Sequence, residues 1–497
     1  MISLPYTSTV TINPSKTYFS QRSRNVLGWG LIGLALIGLQ LCLSSISGEF
    51  NSGRELLSQP ILAFVVIQFL AGGLYLVAIY KLEVSTSSSL LVIWILGVGL
   101  VFRTMAMSST PILEDDYYRY LWDGAVTARG LNPYSFSPEQ VLEGDPLKGV
   151  LPARFAKVAT DSGGLLEKVN HPQLRSVYPP VAQLFFAIAH WMQPWTLFGW
   201  RLLLLAVDIL TVSMLGYLLR GLGLPVLGIV VYWWNPLLIK EVFNSGHMDV
   251  IVLPFVVGAA FLAIRGNSVW AVACLALATA TKLWPIVLLP VILSSTSNTS
   301  RKFIVALLVF LLLGGLLYLP VCLAGLDTSS GFWAYGTRWE MNDALFMSVL
   351  WIVQTVVKMT GVATAAGEFV TRILFGGILV LFVGWLFRRR SADVMELCRR
   401  LLLVVAALFL MSPAQFPWYY IWLLPFLTLF PRRSLLLLTP LLSLYYLRFY
   451  FSARDQVELF DYRVVWLEFV PVWILMVHEW RVHRKLRQPA AIVQMAA

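Results

Sequence analysis

Apolar runs of about 18 to 22 residues recur along most of this chain, and they restrict the possible folds more than any other feature, because about 20 helical residues cross the hydrocarbon core of a bilayer. The chain of 497 residues is 58% hydrophobic and 13% charged, with a mean hydropathy of +0.75. A soluble domain carries about a quarter charged residues to coat its surface. The sequence therefore predicts an all-α polytopic membrane protein.

We expect a bundle of about 12–14 transmembrane helices, each close to the length that a bilayer requires. The predicted spans are 26–46, 60–80, 88–107, 196–219, 224–241, 250–265, 268–281, 284–295, 303–323, 369–387, 398–412, 418–431, 435–450 and 463–480. Two further apolar stretches, Val181–Trp191 and Ala344–Val357, are short, which favours re-entrant or surface-lying helices. Segments 268–281 and 284–295 are also short, and we expect a broken pair around Lys282 that dips toward a site.

The basic residues lie mainly in short loops between the predicted spans, and the chain carries a formal net charge of +11. Cytoplasmic loops of membrane proteins hold the excess of lysine and arginine. The basic face is therefore expected to be cytoplasmic, with both termini on that side, and the large loop 108–178 is expected to be external and to contain short helices. We predict a single membrane domain over residues 1–497, without a basic soluble module that would bind nucleic acid.

An unusual run of ionisable and aromatic residues follows the third predicted span. It contains Glu114, Asp115, Asp116, Arg119, Tyr120, Trp122 and Asp123. Ionisable groups at membrane depth are costly and tend to mark function. A helix over 114–126 would align Asp115, Arg119 and Asp123 as a ladder of ion pairs, with Trp122 on the same face. The alternative is a solvated, salt-bridged helix start, which aspartates in a first turn also suit.

Asp115 and Asp116 are the candidate catalytic residues of this run. A carboxylate that removes a proton from a hydroxyl needs a shifted pKa or close positioning, and a second carboxylate in a partly dry pocket supplies such a shift. One aspartate would be the base, and the other would orient the acceptor or help to bind a metal. The sequence leaves the two roles interchangeable.

A second polar group consists of Glu241, His247 and Asp249, with Asn244 among them. A helix would separate His247 from Asp249, whereas a turn after Gly246 would let both converge on a hydroxyl or a divalent metal. A single His-x-Asp pair is an incomplete ligand set, so no cofactor is established and a divalent metal stays an option. An ordinary polar loop at the end of a span is the alternative.

Two cations are candidate partners of an anionic substrate. Lys282 stands between two apolar half-segments, where a lysine costs about 2.5–3.5 kcal/mol on insertion scales unless it is paired or reaches the interface. A lipid phosphate would pair with Lys282 and would be stabilised as negative charge develops on it, although simple extension to the outer interface explains Lys282 equally well. Arg338 is a further external cation that suits a phosphate.

Five segments resemble the motifs of the polytopic GT-C glycosyltransferases. They read EDDYYRYLWDGAVTARGLNPY, HPQLRSVYPPVAQLFF, WNPLLIKEVFNSGHMDV, ATKLWPIVLLP and PAQFPWYYIWLLP. The chain resembles most the bacterial polyprenyl-phosphate-mannose-dependent mannosyltransferases, with GPI mannosyltransferase I as a more distant relative. The resemblance covers 88–430 in matching order, and its first motif and its Gly-His-x-Asp motif are the specific parts.

This resemblance implies a GT-C-like bundle, a lipid-phosphate sugar donor, external chemistry and a catalytic aspartate in the first external loop. The last role maps onto Asp115 or Asp116. The resemblance also makes His171 and Tyr178 candidates for the substrate pocket. It favours a multi-pass protein of a bacterial inner membrane with its active site on the external face.

We therefore expect an inverting transfer of a monosaccharide, mannose, from a polyprenyl-phosphate carrier to an external glycan or lipid-linked acceptor. The candidate substrate-binding residues are Arg119, Tyr120, Trp122, Asp123, His171, Tyr178, Glu241, His247, Asp249, Lys282 and Arg338. The alternative is a transporter or lipid flippase with an acidic coupling site, which would favour inverted repeats between the halves of the chain. A non-catalytic assembly partner would not need the clustered acids.

Overall fold

The structure, a computed structural model, describes residues 14–51, 53–82, 85, 88–144, 151–296, 299–360, 365–388 and 393–487. The two termini, whose cytoplasmic location the sequence predicts, and residues 145–150 of the large loop lie outside the described residues. About 80% of the described residues are helical. Within the described ranges there is no β-strand, and one isolated parallel bridge joins Met341 to Ala414.

The helices follow one another with short connections. The first half contains α1 Pro14–Ser47, α2 Ile61–Leu82, α3 Ser89–Met107, α4 Tyr117–Ala128, α5 Pro138–Glu143, α6 Ala153–Asp161, α7 Pro180–Met192, α8 Leu197–Gly221, α9 Val230–Trp233, α10 Pro236–Leu238 and α11 Val252–Ile264. The second half contains α12 Ser268–Thr281, α13 Leu289–Thr296, α14 Ser300–Ala324, α15 Gly331–Arg338, α16 Ala344–Thr360, α17 Ala365–Arg388, α18 Val394–Met411, α19 Leu424–Leu429, α20 Arg433–Leu436, α21 Leu438–Leu441, α22 Leu447–Ser452, α23 Val457–Leu459 and α24 Val465–Arg487. Short 3₁₀ helices cover Gly48–Phe50, Leu56–Ser58, Leu166–Lys168, Val226–Ile229, Met248–Ile251, Trp284–Leu288, Pro417–Leu423 and Leu442–Tyr446, and π-helical turns cover Ile239–Asn244 and Phe460–Val464.

Seven helices of the described residues are long and apolar enough to cross a membrane. They are Val26–Phe50, Ile61–Leu82, Ser89–Met107, Leu197–Gly221, Ser300–Ala324, Gly367–Arg388 and Arg433–Ser452. The bent pair Val226–Trp233 and Pro236–Asn244 adds an eighth if it is counted as one span. This number is lower than the predicted 12–14 because several predicted spans form shorter apolar helices of 10–17 residues. The predicted class, an all-α polytopic membrane protein, is confirmed.

The bent pair owes its shape to Asn235 and Pro236. The Asn235 side chain accepts a hydrogen bond from the Leu238 backbone N–H at 3.0 Å and so caps a new helix start. Pro236 suits this first helical position because its missing N–H would have no partner there. The helix then widens into the π-helical turn Ile239–Asn244, which turns Lys240 and Glu241 into the protein interior.

Helix α3 runs from a basic side of the protein to an acidic side. At its start, Ser88 and Ser89 line the same surface cavity as Arg220, whereas Glu114 and the two aspartates follow its far end at Met107. A helix of 19 residues is about 28 Å long, close to the thickness of a hydrocarbon core. The acids and this basic loop therefore lie on opposite sides of the span.

The large loop forms a small helical layer with a core of its own. Trp122 of α4 packs there with Val141 and Phe155 of the following short helices. Arg119 does not form the predicted ion-pair ladder, because its guanidinium donates to the backbone carbonyls of His171 at 3.1 Å and Leu174 at 2.9 Å. The predicted helix over 114–126 is also corrected, since α4 begins at Tyr117 and leaves the acids in the preceding loop.

A buried ion pair connects α3 to α8 inside the bundle. Arg103 Nε donates to Asp208 Oδ2 at 2.5 Å, and both side chains are fully buried. Arg103 Nη1 also donates to the Gly99 and Trp233 carbonyls, each at 2.8 Å. Trp233 is the last residue of α9, so Arg103 binds a carbonyl next to the break in the bent pair.

The variant Asp208→Asn is expected to destabilise the protein strongly. It would leave the Arg103 charge buried without a counterion, a change that typically costs about 3–5 kcal/mol. Thermal unfolding in detergent measures this loss. The matched control is Asp161→Asn, because the Arg129–Asp161 pair at 2.8 Å is partly exposed and such pairs contribute about 0–1 kcal/mol. Equal shifts in melting temperature would contradict a structural role for the buried pair.

Candidate active site

The polar groups predicted from separate parts of the sequence converge at the acidic end of α3. The loop that precedes α4 carries Glu114, Asp115 and Asp116, and the turn that follows Gly246 carries His247. His247 is fully buried, and acidic side chains approach both of its ring nitrogens. The acids of the first loop therefore share one site with the Gly-His-x-Asp segment.

Asp115 and Asp116 are held side by side by Asn170. The Asn170 amide donates to Asp115 Oδ1 at 2.8 Å and to Asp116 Oδ1 at 2.7 Å. Asp116 Oδ2 also accepts from the hydroxyls of Tyr120 and Tyr178, both at 3.4 Å. Asp115 is exposed, and among the described residues Asn170 is the one side chain that donates a hydrogen bond to it. Asp115 is thus accessible and is held through Oδ1, whereas side chains hold Asp116 through both oxygens.

The pKa values of the acidic loop are shifted upward. Loss of hydration to the surrounding protein raises the pKa of Asp115, the negative charge of Asp116 raises it further, and the Asn170 hydrogen bond opposes both effects. Burial raises the pKa of Glu114 well above its usual value, and nearby acids add to this effect. A raised pKa makes Asp115 a stronger base once it has lost its proton.

His247 lies at the centre of three carboxylates. Its Nδ1 is 3.7 Å from Asp116 Oδ2, and its Nε2 is 3.6 Å from Glu241 Oε2 and 3.8 Å from Glu114 Oε2. The ring stacks on Trp418, with centroids 3.9 Å apart. Neither ring nitrogen has a hydrogen-bond partner among the described residues. The imidazole is therefore positioned by stacking, and both of its nitrogens keep their hydrogen-bonding capacity.

Glu241 is held by charges and hydroxyls on its inner side. The Tyr446 hydroxyl donates to Glu241 Oε1 at 2.5 Å, and Lys240 Nζ lies 3.5 Å from Glu241 Oε2. Lys240 also donates to the Tyr446 hydroxyl and lies over its ring at 3.8 Å. Such pairing is required because unpaired charges are very costly in a buried position. Lys240 thus provides a fixed positive charge next to Glu241, on the inner side of the site.

Asp249 and Lys282 form a second ion pair in the site. Lys282 Nζ donates to Asp249 Oδ1 at 2.5 Å, and the same oxygen accepts from Trp422 Nε1 at 2.7 Å. Lys282 Nζ also lies 4.4 Å from the centre of the Tyr419 ring. Lys282 occupies the break after α12, as predicted, and its side chain stays 17% exposed. An anion can therefore still reach its charge.

Other predicted site residues take structural or peripheral positions. Arg119 and Trp122 lie in the large-loop layer described above. Asp123 is buried and accepts from Ser176 at 2.5 Å and from Gln183 at 3.1 Å. The His171 ring contacts Trp339 edge-on at 4.9 Å, and Arg338 is exposed at the end of α15.

The predicted option of a metal ion at His247 and Asp249 receives no support from the geometry. Within the described part of the chain, no group of three or more His, Cys, Asp or Glu side chains is arranged to hold a metal ion. Asp249 already shares its Oδ1 with Lys282 and Trp422. The Asp249 carboxylate is thus already paired with a cationic side chain.

Sequence reasoning missed several residues of the site. Asn170 directly precedes His171 and Pro172, which begin one of the five segments that resemble GT-C motifs. This position was the sequence signal that could have identified Asn170 as a site residue. Lys240 had a physical signal, since a lysine in an apolar segment needs a partner, and its neighbour Glu241 is that partner. Tyr446 and Trp422 had no signal, because aromatic residues are common throughout this sequence.

The all-α polytopic fold and the acids gathered beyond one end of α3 fit a membrane-embedded glycosyltransferase of the GT-C type, and similarity to known proteins shows that class. A family model described as alpha-(1->6)-mannopyranosyltransferase, N-terminal domain, matches residues 29–297. This match covers more than half of the chain, and the chain belongs to this family of mannosyltransferases. It is also similar to alpha-(1->6)-mannopyranosyltransferase A of Corynebacterium glutamicum, with 21% identity over 429 residues, which cover 76% of this chain and 81% of that protein. No solved structure gives a significant match.

Proposed function

We propose that this mannosyltransferase takes its mannose from a polyprenyl-phosphate carrier and transfers it, with inversion, to a glycan or glycolipid on the external face of the membrane. The observation that carries the proposal is the convergence of the Asp115–Asp116 pair, His247 and the Asp249–Lys282 pair at one end of the bundle. The relative's name suggests an α-(1→6) bond in the product. An inverting enzyme that forms an α bond requires a β-linked donor phosphate.

Asp115 is the proposed base of the reaction. It takes the proton of the acceptor hydroxyl while the acceptor oxygen forms a bond to the anomeric carbon and the bond from that carbon to the phosphate oxygen breaks. Asp115 is exposed and can meet an acceptor hydroxyl that enters the site, and its raised pKa suits proton abstraction. Asp116 and His247 are proposed to position the reacting sugar.

Lys282 is the proposed contact of the departing lipid phosphate. Its ammonium group has three N–H donors, of which Asp249 occupies one. A fixed cation stabilises the negative charge that develops on the leaving group. Leu283 and Ile286 beside it are exposed large apolar side chains, so the same break offers a charge for the phosphate and an apolar surface for its lipid.

The external orientation of the site is part of this proposal. Arg220 and the acidic run lie beyond opposite ends of α3, and Lys81 lies against Gly28, near the start of the candidate span Val26–Phe50. Basic loops mark the cytoplasmic side of membrane proteins, so the acids would face the opposite compartment. We propose one membrane domain with both termini cytoplasmic, in the inner membrane of a bacterium.

Purified protein incubated with radiolabelled polyprenyl-phosphate mannose and a mannan acceptor tests the donor assignment. Label should enter the acceptor, the new bond should have the anomeric configuration opposite to the donor, and polyprenyl-phosphate glucose should be a poorer donor. Transfer from a nucleotide sugar, without any from the lipid donor, would contradict the proposal. Lipid movement across proteoliposomes without transfer would support a flippase instead.

A further inference from the structure

The proposed active site is assembled from two segments that are far apart in the sequence. We call residues 108–116 the acidic loop and residues 245–249 the His247 turn. The acidic loop brings in Asp115 and Asp116, and the His247 turn brings in His247 and Asp249. Because the two segments follow different helices, a contact between them must fix the distance from His247 to Asp116.

Asn244 provides that contact at the end of the π-helical turn. Its Oδ1 accepts a hydrogen bond from the Ile112 backbone N–H at 2.9 Å. Its Nδ2 donates to the Ser109 hydroxyl at 2.8 Å and to the Thr110 carbonyl at 2.7 Å. A carboxamide has two N–H donors and one carbonyl oxygen, so both donors are used and all three bonds go to the acidic loop.

The first turns of α8 hold the same two segments from a second direction. The Arg201 guanidinium donates to the Met107 carbonyl at 2.7 Å and to the Ser109 carbonyl at 3.0 Å, and it also donates to the Asn244 carbonyl. Trp200 Nε1 donates to the Gly246 carbonyl at 2.7 Å. The acidic loop and the His247 turn are therefore bound to one helix and, through Asn244, to each other.

We propose that Asn244 is a positioning residue of the glycosyl transfer. Its side chain fixes the position of the acidic loop relative to the His247 turn. Asn244 is buried, and its side-chain hydrogen bonds go to Ser109, Thr110 and Ile112 and not to the proposed base. It precedes His247 by three residues, and its partner Ile112 precedes Asp115 by three residues. A change in its side chain therefore moves Asp115 and Asp116 relative to His247 without removing any of them.

Chemical transfer is more sensitive to such a displacement than donor binding is. A misplacement of about 1 Å can lower a rate about 100-fold even when the mutation is distant from the chemistry. The proposed phosphate contact, Lys282, follows α12 and is held by Asp249 and not by the acidic loop. Loss of the Asn244 bonds should thus reduce kcat and leave the KM for the donor nearly unchanged.

The test compares N244A with N132A. Asn132 lies in the large loop, and its side chain accepts from the Tyr134 backbone N–H at 3.0 Å and donates to the Pro320 carbonyl at 2.9 Å, so these bonds go neither to the acidic loop nor to the His247 turn. Both variants remove a carboxamide that is bonded through its oxygen and its nitrogen, so both should lower the melting temperature. We expect N244A to lower kcat about 100-fold with a donor KM within about threefold of wild type, and N132A to leave kcat within about threefold. Equal losses of kcat, or a wild-type kcat in N244A, would overturn the proposal.

If N244A does not insert into the membrane, the variant N244D tests the role of Asn244 instead. It keeps the size of the side chain and an oxygen for Ile112, but it brings a second oxygen against the Thr110 carbonyl, which cannot donate. The expected split between kcat and KM is the same, and a wild-type kcat again overturns the proposal.

The inference rests on the proposed transfer reaction, and the D115N variant measured in parallel separates the two. If D115N transfers mannose normally, the proposed function fails. If D115N is inactive while N244A matches wild type, only the role of Asn244 fails.

Discussion

The double variant Asp115→Asn and Asp116→Asn is expected to lose mannosyl transfer completely while it still inserts into the membrane. Both carboxylates lie next to Asn170 at hydrogen-bond distance, and their removal leaves Glu114, whose side chain is only 9% exposed, as the remaining carboxylate of the acidic loop. General base catalysis contributes about 10²–10⁴-fold. Radiolabel transfer by protein matched for amount and melting temperature measures the loss, and turnover near the wild-type rate would refute the assignment.

The two single variants should separate the roles of the aspartates. D115N removes the proposed base and should be nearly as inactive as the double variant. D116N should keep partial activity with an altered pH profile. The negative charge of Asp116 raises the pKa of Asp115, so its removal lowers that pKa. A base is active only when it is deprotonated, and the acidic limb of kcat/KM should therefore move to lower pH in D116N. If D116N were inactive and D115N active, Asp116 would be the base and Asp115 the positioning residue.

Lys282→Met is expected to cause the second-largest loss of activity. The variant removes the cation proposed to stabilise the leaving phosphate, and loss of one such electrostatic contact lowers kcat about 10²–10³-fold. Steady-state rates with polyprenyl-phosphate mannose measure the effect. Lys282→Arg keeps a positive charge near Asp249 and should retain more activity than Lys282→Met.

A destabilised protein would also lose activity, so Lys282→Met needs a matched control. It leaves the buried Asp249 carboxylate without its cation, whereas Lys282→Met combined with Asp249→Asn removes both charges. The combined variant should recover melting temperature because the unpaired charge is gone, but it should not recover transfer. Recovery of transfer together with stability would mean that Lys282 only balances Asp249.

The fold class could be predicted from the sequence because apolar length is a direct requirement of the bilayer. The same reasoning overestimated the number of complete spans. The apolar segment 224–241 looks continuous, but Asn235 caps a new helix inside it and Pro236 begins that helix. The break after Thr281 was predictable because Lys282 and Pro285 interrupt the apolar pattern.

The candidate site could be predicted only in part. Asp115, Asp116 and His247 were expected on chemical grounds, and the structure brings them within one cluster. Helical periodicity predicted the wrong partners for Arg119, because a helix start at Tyr117 turns its guanidinium toward backbone carbonyls of the large loop. The contribution of Asn170 depends on the path of that loop, which no local pattern describes.

A cryo-EM structure of the protein with a non-transferable polyprenyl-phosphonate mannose would show whether the donor binds as proposed. We expect the phosphonate to contact Lys282 Nζ and the face of the mannose opposite the phosphonate to be open toward Asp115, with Asp116 and His247 beside the sugar. A donor bound at the basic end of α3, or with its anomeric carbon directed away from Asp115, would contradict the proposal.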